Sequence, residues 1–307
     1  MRGTLLVTGA AGFTGRYLMT AATKLGYRCV AVVQSPLLEP LVVGGQPIAV
    51  EVCDLTDRQV VMALVQRVQP DYVVHLAAIS FVAHGVLQDI YLTNVVGTAN
   101  LMDALQQHAS TLKKVLVASS GNVYGNSQAL PITETTSLAP VNDYAVSKVA
   151  MEYALSLRSK DLPLIITRPF NYTGVGQAEH FLIPKIVHAF AQRQPTIELG
   201  NLDVARDFTD VRDLVHAYLL LLASDAVGEL FNICSGKAVP LLEVVEHLNA
   251  LAGYRIDVQV NPAFVRANEI KTLYGSDAKL RCVIGDYRQF ADLQQTLAWM
   301  LATQERE

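Results

Sequence analysis

The sequence predicts an α/β protein, a doubly wound parallel sheet carrying a smaller α/β lobe. Three observations lead there. Short apolar runs alternate with helical segments through the first half, the pattern of right-handed βαβ units. The first run, Thr4 to Thr8, leads into Gly9-Ala-Ala-Gly12-Phe-Thr-Gly15 and then a helical segment. Beyond residue 168 the rhythm gives way to turn-rich and charged stretches. This assigns residues 1–168, with a return of about 207–236, to the sheet domain, and 169–206 with 237–307 to the smaller lobe.

Composition narrows the class. A chain of 307 residues is long for a single hydrophobic nucleus, and with 17% charged residues, a net charge of -4 and no basic patch it does not read as a nucleic-acid binder. The start, Met1-Arg-Gly-Thr-Leu-Leu-Val-Thr, lacks the charged and apolar regions of a signal peptide. The longest apolar run near a helix, Ala217 to Ala223, is far short of a bilayer span, so no membrane association and a cytoplasmic location are expected. Cys29, Cys53, Cys234 and Cys282 lack metal spacing, and the first three sit in strand-like apolar runs, so neither zinc nor a disulfide is expected.

The elements follow in order. The glycines at 9, 12 and 15 permit a tight turn and let backbone amides approach a pyrophosphate, while the helix to about Leu25 offers its positive end, so this turn is read as a dinucleotide site. The second strand, Arg28 to Val33, ends at Gln34-Ser35, where an NAD-specific protein places an acid for the adenosine ribose. Nothing there repels a 2'-phosphate, and Arg16 is either its partner or a solvated helix residue. NADP(H) is therefore favoured, with NAD(H) possible. A third strand, Ile48 to Val52, leads to Asp54, which either bonds the adenine edge or caps the next helix. A fourth, Tyr72 to Leu76, runs into Ala77-Ala78-Ile-Ser80, small residues that let a cofactor lie close, and His75 reads as a packed strand residue. Asn94, inside a helix from Ile90 to His108, marks a buried hydrogen-bond role. Strands Val115 to Ala118, Leu162 to Thr167 and Leu230 to Ile233 complete the sheet. In the second half, Ile183 to Gln192 and Leu241 to Leu251 are amphipathic helices, Thr196 to Leu199 and Val258 to Val260 are strands, and a helical segment from Asp277 onward closes the chain. The dense run Arg206 to Asp213 reads as a solvated face, with Arg206 the exception because it suits a diphosphate.

The chemistry concentrates between Ser119 and Lys148. Tyr144 and Lys148 stand four apart on a helix and so share a face. A neighbouring ammonium favours phenolate, and Tyr144 can then exchange a proton with a carbonyl or alcohol oxygen. Ser120, past the end of a strand, can bond that same oxygen.

Gly9-x-x-Gly12-x-x-Gly15, Asp54, Leu76-Ala77-Ala78, Ser120 with Tyr124-Gly125, and Tyr144-x-x-x-Lys148 together resemble the extended short-chain dehydrogenase/reductase family, whose sheet is the Rossmann fold. The second half resembles the GDP-sugar branch of that family, which contains GDP-mannose 4,6-dehydratase and GDP-4-keto-6-deoxymannose reductase. The matching stretches are Arg168-Pro-Phe-Asn171 with Gly174-x-Gly176-Gln177, Arg206-Asp-Phe-Thr-Asp-Val-Arg-Asp, Asn232-Ile-Cys-Ser-Gly236 and Arg266-x-x-Glu269. The resemblance implies that Ser120, Tyr144 and Lys148 are catalytic, and that Phe13, Leu55 and Ala77 join the glycines, Arg16 and Asp54 around the cofactor. It implies that Asn171 and Arg206 hold a diphosphate, that Arg266 adds a second cation, and that Glu269 accepts from the nucleotide ribose, with Ser80 and Asn122 beside the sugar. Where the pattern has a proline after Arg266, this chain has Ala267. A 4,6-dehydratase has a carboxylic acid two residues after the catalytic hydroxyl, where this chain has Asn122. The expectation is therefore reduction of a C4 ketone, GDP-4-keto-6-deoxy-D-mannose to GDP-D-rhamnose. A nucleotide-sugar 4-epimerase and a non-catalytic sugar-nucleotide binder are the alternatives. Apolar residues on the helices Ile90 to His108 and Asp143 to Leu157 match the family's dimer interface, implying a homodimer.

Overall fold

The computed structural model describes residues 2–80, 86–158, 161–266, 269–290 and 292–304. Seven strands form one parallel sheet: β1 Thr4–Thr8, β2 Arg28–Val33, β3 Ala49–Val52, β4 Tyr72–His75, β5 Lys114–Ala118, β6 Leu164–Pro169 and β7 Glu229–Ile233. Their spatial order is β7-β6-β5-β4-β1-β2-β3, so the winding reverses at β1. Alternate residues face opposite ways. Leu5 and Val7 enter one core with Leu18 and Met19 of α1 (Phe13–Lys24), whereas Leu6 enters the other with Val61 and Leu64 of α2 (Arg58–Val68). Buried on both faces, such strands must be apolar throughout, and Leu5, Leu6 and Val7 are each 0% exposed.

The helix expected from Ile90 to His108 is three pieces, α3 (Leu87–Tyr91), a π-helical turn Leu92–Gly97, and α4 (Thr98–His108). Widened turns of this kind recur at functional sites. Here the turn carries Asn94, whose side chain accepts from the Ile79 amide at 2.8 Å and donates to the Ile79 carbonyl at 3.1 Å and the Ser147 hydroxyl at 3.0 Å. A strand loop is thereby tied to α5 (Asp143–Ser156), the helix carrying Tyr144 and Lys148.

In the second half, α6 (Leu182–Ala191), α8 (Leu241–Ala252) and α10 (Leu293–Gln304) share a separate apolar core with the parallel pair Thr196–Leu199 and Asp257–Val260. Between these helices in the chain, α7 (Val211–Ala223) packs on the main sheet beside α1. The segment from Asp277 divides. Leu280 of α9 (Ala278–Ile284) and Tyr287 join the main-sheet core, while Leu297, Met300 and Leu301 of α10 join the other. The charge run before α7 is not a solvated face. Asp207 is 0%, Asp210 4% and Asp213 3% exposed. Each works on backbone: Asp207 accepts from Ser235 and Gly236, Asp210 caps α7 through the Arg212 amide, and Asp213 accepts from Gln289 and Phe290. A buried carboxylate is tolerated when amides satisfy it, and periodic charge alone does not reveal that. Among the described residues no helix is long and apolar enough to cross a membrane.

Candidate active site

One cleft of about 1000 Å³ runs along the carboxyl ends of the sheet strands, at the reversal of winding where open α/β sheets bind ligands. Its first wall is the glycine turn. Gly9 has φ +68°, and a Cβ there would lie 2.8 Å from the Ala77 nitrogen. At Gly15 a Cβ would lie 2.3 Å from the Gly9 carbonyl oxygen. Only glycine lets these backbones meet. The N-cap of α1 is Gly12, with no side-chain cap, so the amides that open this helix face a lining of Gly12, Phe13 and Thr14. A dinucleotide fits this cradle: the amides suit its pyrophosphate, and the lining continues past Val33, Gln34 and Asp54 on the β2 and β3 side and past Ala77 to Tyr144 on the other.

Asp54 is not a helix cap. Asp57 caps α2, accepting from the amides of Gln59 at 2.9 Å and Val60 at 3.2 Å, while Asp54 folds a local turn through Thr56 and lines the cleft with Leu55. Arg16 stands outside that lining, exposed, its Nε donating to the Ala11 carbonyl at 2.9 Å. His75 is a packed strand residue: its ring bonds Thr8 at 2.7 Å and Thr98 at 2.8 Å, and burial holds its pKa down at about 3.

The catalytic candidates converge in the middle of the cleft. Ser120 follows β5 and caps the 3₁₀ turn Gly121–Tyr124, accepting from the Asn122 amide at 3.2 Å. Ser120, Asn122, Tyr144 and Lys148 all line the cleft. Burial raises the Tyr144 phenol above its ordinary value, and a hydrogen bond with Ser120 opposes that rise. The expected acidifying partner was Lys148, but the opposing group is Ser120. The Lys148 ammonium donates to the Ala118 carbonyl at 2.8 Å, and burial pulls its pKa down to about 8 against the pull of Glu152. Carboxylates lining the cleft, among the described residues, are Asp54 and Asp89 of α3.

The substrate candidates divide. Ser80, Asn122 and Asn171 line the cleft, whereas Arg206, Arg266 and Glu269 do not. Asn171 opens the strand Asn171–Thr173, which pairs with Phe208–Asp210. Arg206 and Glu269 meet each other, Nη2 to Oε1 at 2.5 Å, with the guanidinium also donating to the carbonyls of Ala205 and Lys271. Arg266 lies close enough for its charge to lower the Arg206 pKa, after the larger effect of burial. Ala267 lies outside the described residues.

Several groups in and behind this wall escape sequence reading. Tyr172 lines the cleft, bonds Thr14 of the glycine turn at 2.9 Å and stacks on Phe13 at 6.1 Å. Glu152, one turn beyond Lys148, pairs with Arg168. The spacing Tyr144, Lys148, Glu152 carried that signal, since three polar residues on one helix face share an environment.

The family described as GDP-mannose 4,6 dehydratase matches residues 6–300. GDP-6-deoxy-D-mannose reductase of Pseudomonas aeruginosa is 33% identical over 317 residues, covering 98% of this chain and 97% of its own. GDP-6-deoxy-D-talose 4-dehydrogenase of Aggregatibacter actinomycetemcomitans is 31% identical over 296 residues, covering 96% of each. Among solved structures, a Burkholderia cenocepacia J2315 protein provisionally called an epimerase superposes with TM-score 0.93 at 44% identity, covering 100% of this chain and 99% of the other. RMD from Pseudomonas aeruginosa complexed with NADPH gives 0.84 at 30% identity over 99% of both chains. The UDP-glucose 4-epimerase of Thermus thermophilus, complexed with NAD, gives 0.85 at 25% over 98% of both. The chain belongs to the GDP-mannose 4,6-dehydratase family within the short-chain dehydrogenases/reductases, and it is an NAD(P)-dependent oxidoreductase.

Proposed function

We propose that the protein reduces the C4 ketone of GDP-4-keto-6-deoxy-D-mannose to give GDP-D-rhamnose, with NADP(H) the preferred cofactor. The observation that carries this reading is the set Ser120, Tyr144 and Lys148 in the dinucleotide cleft, with Asn122 where elimination chemistry needs an acid. Bound there, the reduced nicotinamide supplies a hydride for the carbonyl carbon. Ser120 orients the ketone oxygen through its hydroxyl, and Tyr144 gives its phenolic proton to that oxygen as charge develops. Burial raises the Tyr144 pKa, so the phenol carries its proton at neutrality, and the hydrogen bond with Ser120 works against that rise to ease the proton's transfer. Lys148 holds the nicotinamide ribose and supplies positive charge beside the phenol.

On the sugar-nucleotide side, Asn171 and Arg206 hold the diphosphate, Arg266 adds a second cation, Glu269 accepts from the ribose, and Ser80 and Asn122 adjoin the hexose. Residues 1–168 with about 207–236 form the cofactor domain and 169–206 with 237–307 the substrate lobe, less the α9 segment that packs on the sheet. A homodimer forms through the helical run Leu87–His108 and through α5 with its C-cap, where Leu92, Val96, Val146, Tyr153 and Leu157 are exposed apolar side chains.

The relatives sharpen what must be measured. 6-Deoxy-D-mannose and 6-deoxy-D-talose differ only at C4, so hydride from opposite faces of one ketone gives either. Purified protein is mixed with freshly made GDP-4-keto-6-deoxy-D-mannose and NADPH or NADH, reduced-nicotinamide absorbance is followed, and the product sugar is assigned by NMR. Stoichiometric oxidation with a rhamno product supports the reading, and a talo product corrects its stereochemistry. The second reading, a nucleotide-sugar 4-epimerase, is favoured by likeness to the Burkholderia structure. It is supported instead if no added cofactor is consumed while 4-epimers of a nucleotide hexose interconvert.

A further inference from the structure

Behind Lys148 lies a buried ion pair that the proposed chemistry does not use. Glu152 and Arg168 are 7% and 5% exposed. The carboxylate accepts from Arg168 Nε at 2.9 Å and Nη2 at 2.5 Å, and also from the Ser119 hydroxyl. The third guanidinium nitrogen donates to Tyr124 Oη at 2.8 Å, and the guanidinium lies 4.8 Å over the Tyr124 ring. Tyr124 donates in turn to Asn232 Oδ1 at 2.7 Å.

Four members of this network sit next to a piece of the cleft. Glu152 is one helical turn from Lys148. Ser119 precedes Ser120. Tyr124 ends the turn that Ser120 caps and Asn122 lines. Arg168 precedes Pro169, Phe170 and Asn171, all in the lining. A buried ion pair contributes little net stability, because desolvation offsets attraction, and apolar replacements of the pair are often neutral. Its position is what needs a reason.

We propose that Glu152, held by Arg168, is a positioning residue that fixes the Ser119–Ser120 turn and the end of β6 against α5, one helical turn behind Lys148. The groups facing Lys148 report on this. From its own helix come Glu152 and the Met151 sulfur at 3.9 Å, from β5 the Ala118 carbonyl, and from β4 the neutral His75. Glu152 is the charged group that raises the Lys148 pKa, opposing burial, and Arg168 fixes where that charge sits.

The inference rests on Lys148 acting in the cleft, so its test includes a readout that needs no substrate. Competitive labelling of lysines by an acylating reagent across pH, read by peptide mass mapping, gives the Lys148 midpoint. NADPH fluorescence titrations give cofactor affinity at each pH. In Glu152→Gln the Lys148 midpoint falls by about one unit, which approaches a tenfold loss of charged lysine at pH values above the original midpoint. Glu152→Asp retains the original midpoint. Because Glu152→Gln leaves Arg168 buried without a counter-charge and risks the fold, Glu152→Gln/Arg168→Met serves as the second variant, with a downward shift of the same sign but smaller, since a nearby positive charge is lost as well. Folded Gln variants with an unchanged midpoint and unchanged affinity profile would overturn the proposal and leave the pair structural. Failure of the wild type to reduce the 4-ketone would count against the proposed reaction and leave the labelling result standing.

Discussion

The two ends of the cleft are built by different means. At the cofactor end the working surface is backbone: three glycines within seven residues, an uncapped helix start, and strand termini whose amides are fixed by the sheet. At the proposed sugar-nucleotide end only Asn171 of the diphosphate and ribose candidates lines the cleft, and the other groups stand outside that lining, brought together from afar. Arg206 and Glu269 are 63 residues apart in sequence, and Asn171 is set by pairing with Phe208. The first kind of site is constrained locally, so its residues cannot vary one at a time. The second is held by tertiary contacts that spread over the chain.

The strongest test applies where the two ends meet. Tyr144→Phe removes the proton donor and leaves both ends intact, so turnover falls by about a thousandfold, the scale of general-acid catalysis. Cofactor and GDP affinities, measured by fluorescence and calorimetry, stay at wild-type values. Retained turnover would remove Tyr144 from the mechanism. A smaller loss, confined to one end, is expected from Gly15→Ala. The added methyl would meet the Gly9 carbonyl oxygen at 2.3 Å and the Ala10 Cα at 2.6 Å, backbone atoms that cannot step aside. Overpacking on that scale weakens cofactor binding by up to about a hundredfold while GDP still binds. Equal loss of both ligands would mean that the variant had unfolded the sheet edge rather than closed the cradle.

That division also explains what could be read in the sequence. β1 and β2 fall on the expected residues, because strands buried on both faces must be continuous apolar runs. The glycine turn was legible because its spacing is its geometry. Asp54 was not resolved between its two readings, since a local turn through Thr56 and a helix cap use the same side chain, and it was Asp57 that took the cap. Glu152 escaped notice because a carboxylate in a helix is ordinarily solvated, and its partner Arg168 lies on a strand. The buried aspartates at 207, 210 and 213 were missed for the same reason: their amide partners come from elsewhere in the chain or from a helix start.

Arg206→Met takes the comparison to the other end. Arg206 is nine-tenths buried and paired with Glu269, and losing a charged hydrogen-bonding partner for a diphosphate costs about ten- to a hundredfold in GDP affinity. Cofactor affinity does not change. If GDP binding also stayed constant, the pair would be a strut of the lobe, and Asn171 with Arg266 would have to hold the diphosphate.

The pH dependence of the two ends separates them more finely. Burial brings Lys148 down to about 8 from the ordinary lysine value of 10.5. A base carries its charge below its pKa, so the ammonium is present at neutrality and is lost as pH rises through about 8. Cofactor affinity therefore declines on the alkaline side, by about tenfold per unit at most. GDP affinity does not follow the Lys148 midpoint, because Lys148 is not among the groups proposed to hold the diphosphate. A cofactor profile flat to about pH 10 would mean that Lys148 contributes no charge to binding.

The smallest effect concerns which cofactor the first end prefers. Gln34 and Ser35 line the cleft beyond β2, and neither repels a 2'-phosphate. Arg16 is exposed and anchored by Nε to the Ala11 carbonyl, which leaves the far nitrogens of its guanidinium for an anion at the rim. An exposed ion contact contributes at most about 1 kcal/mol, so Arg16→Ala lowers NADPH affinity by about fivefold or less and leaves NADH unchanged. The ratio of the two affinities is the decisive quantity. Equal weakening of both would assign Arg16 to bracing the glycine turn through Ala11. No change in either would move discrimination to the backbone of Gln34 and Ser35, making even cofactor choice a property of the main chain at this end of the cleft.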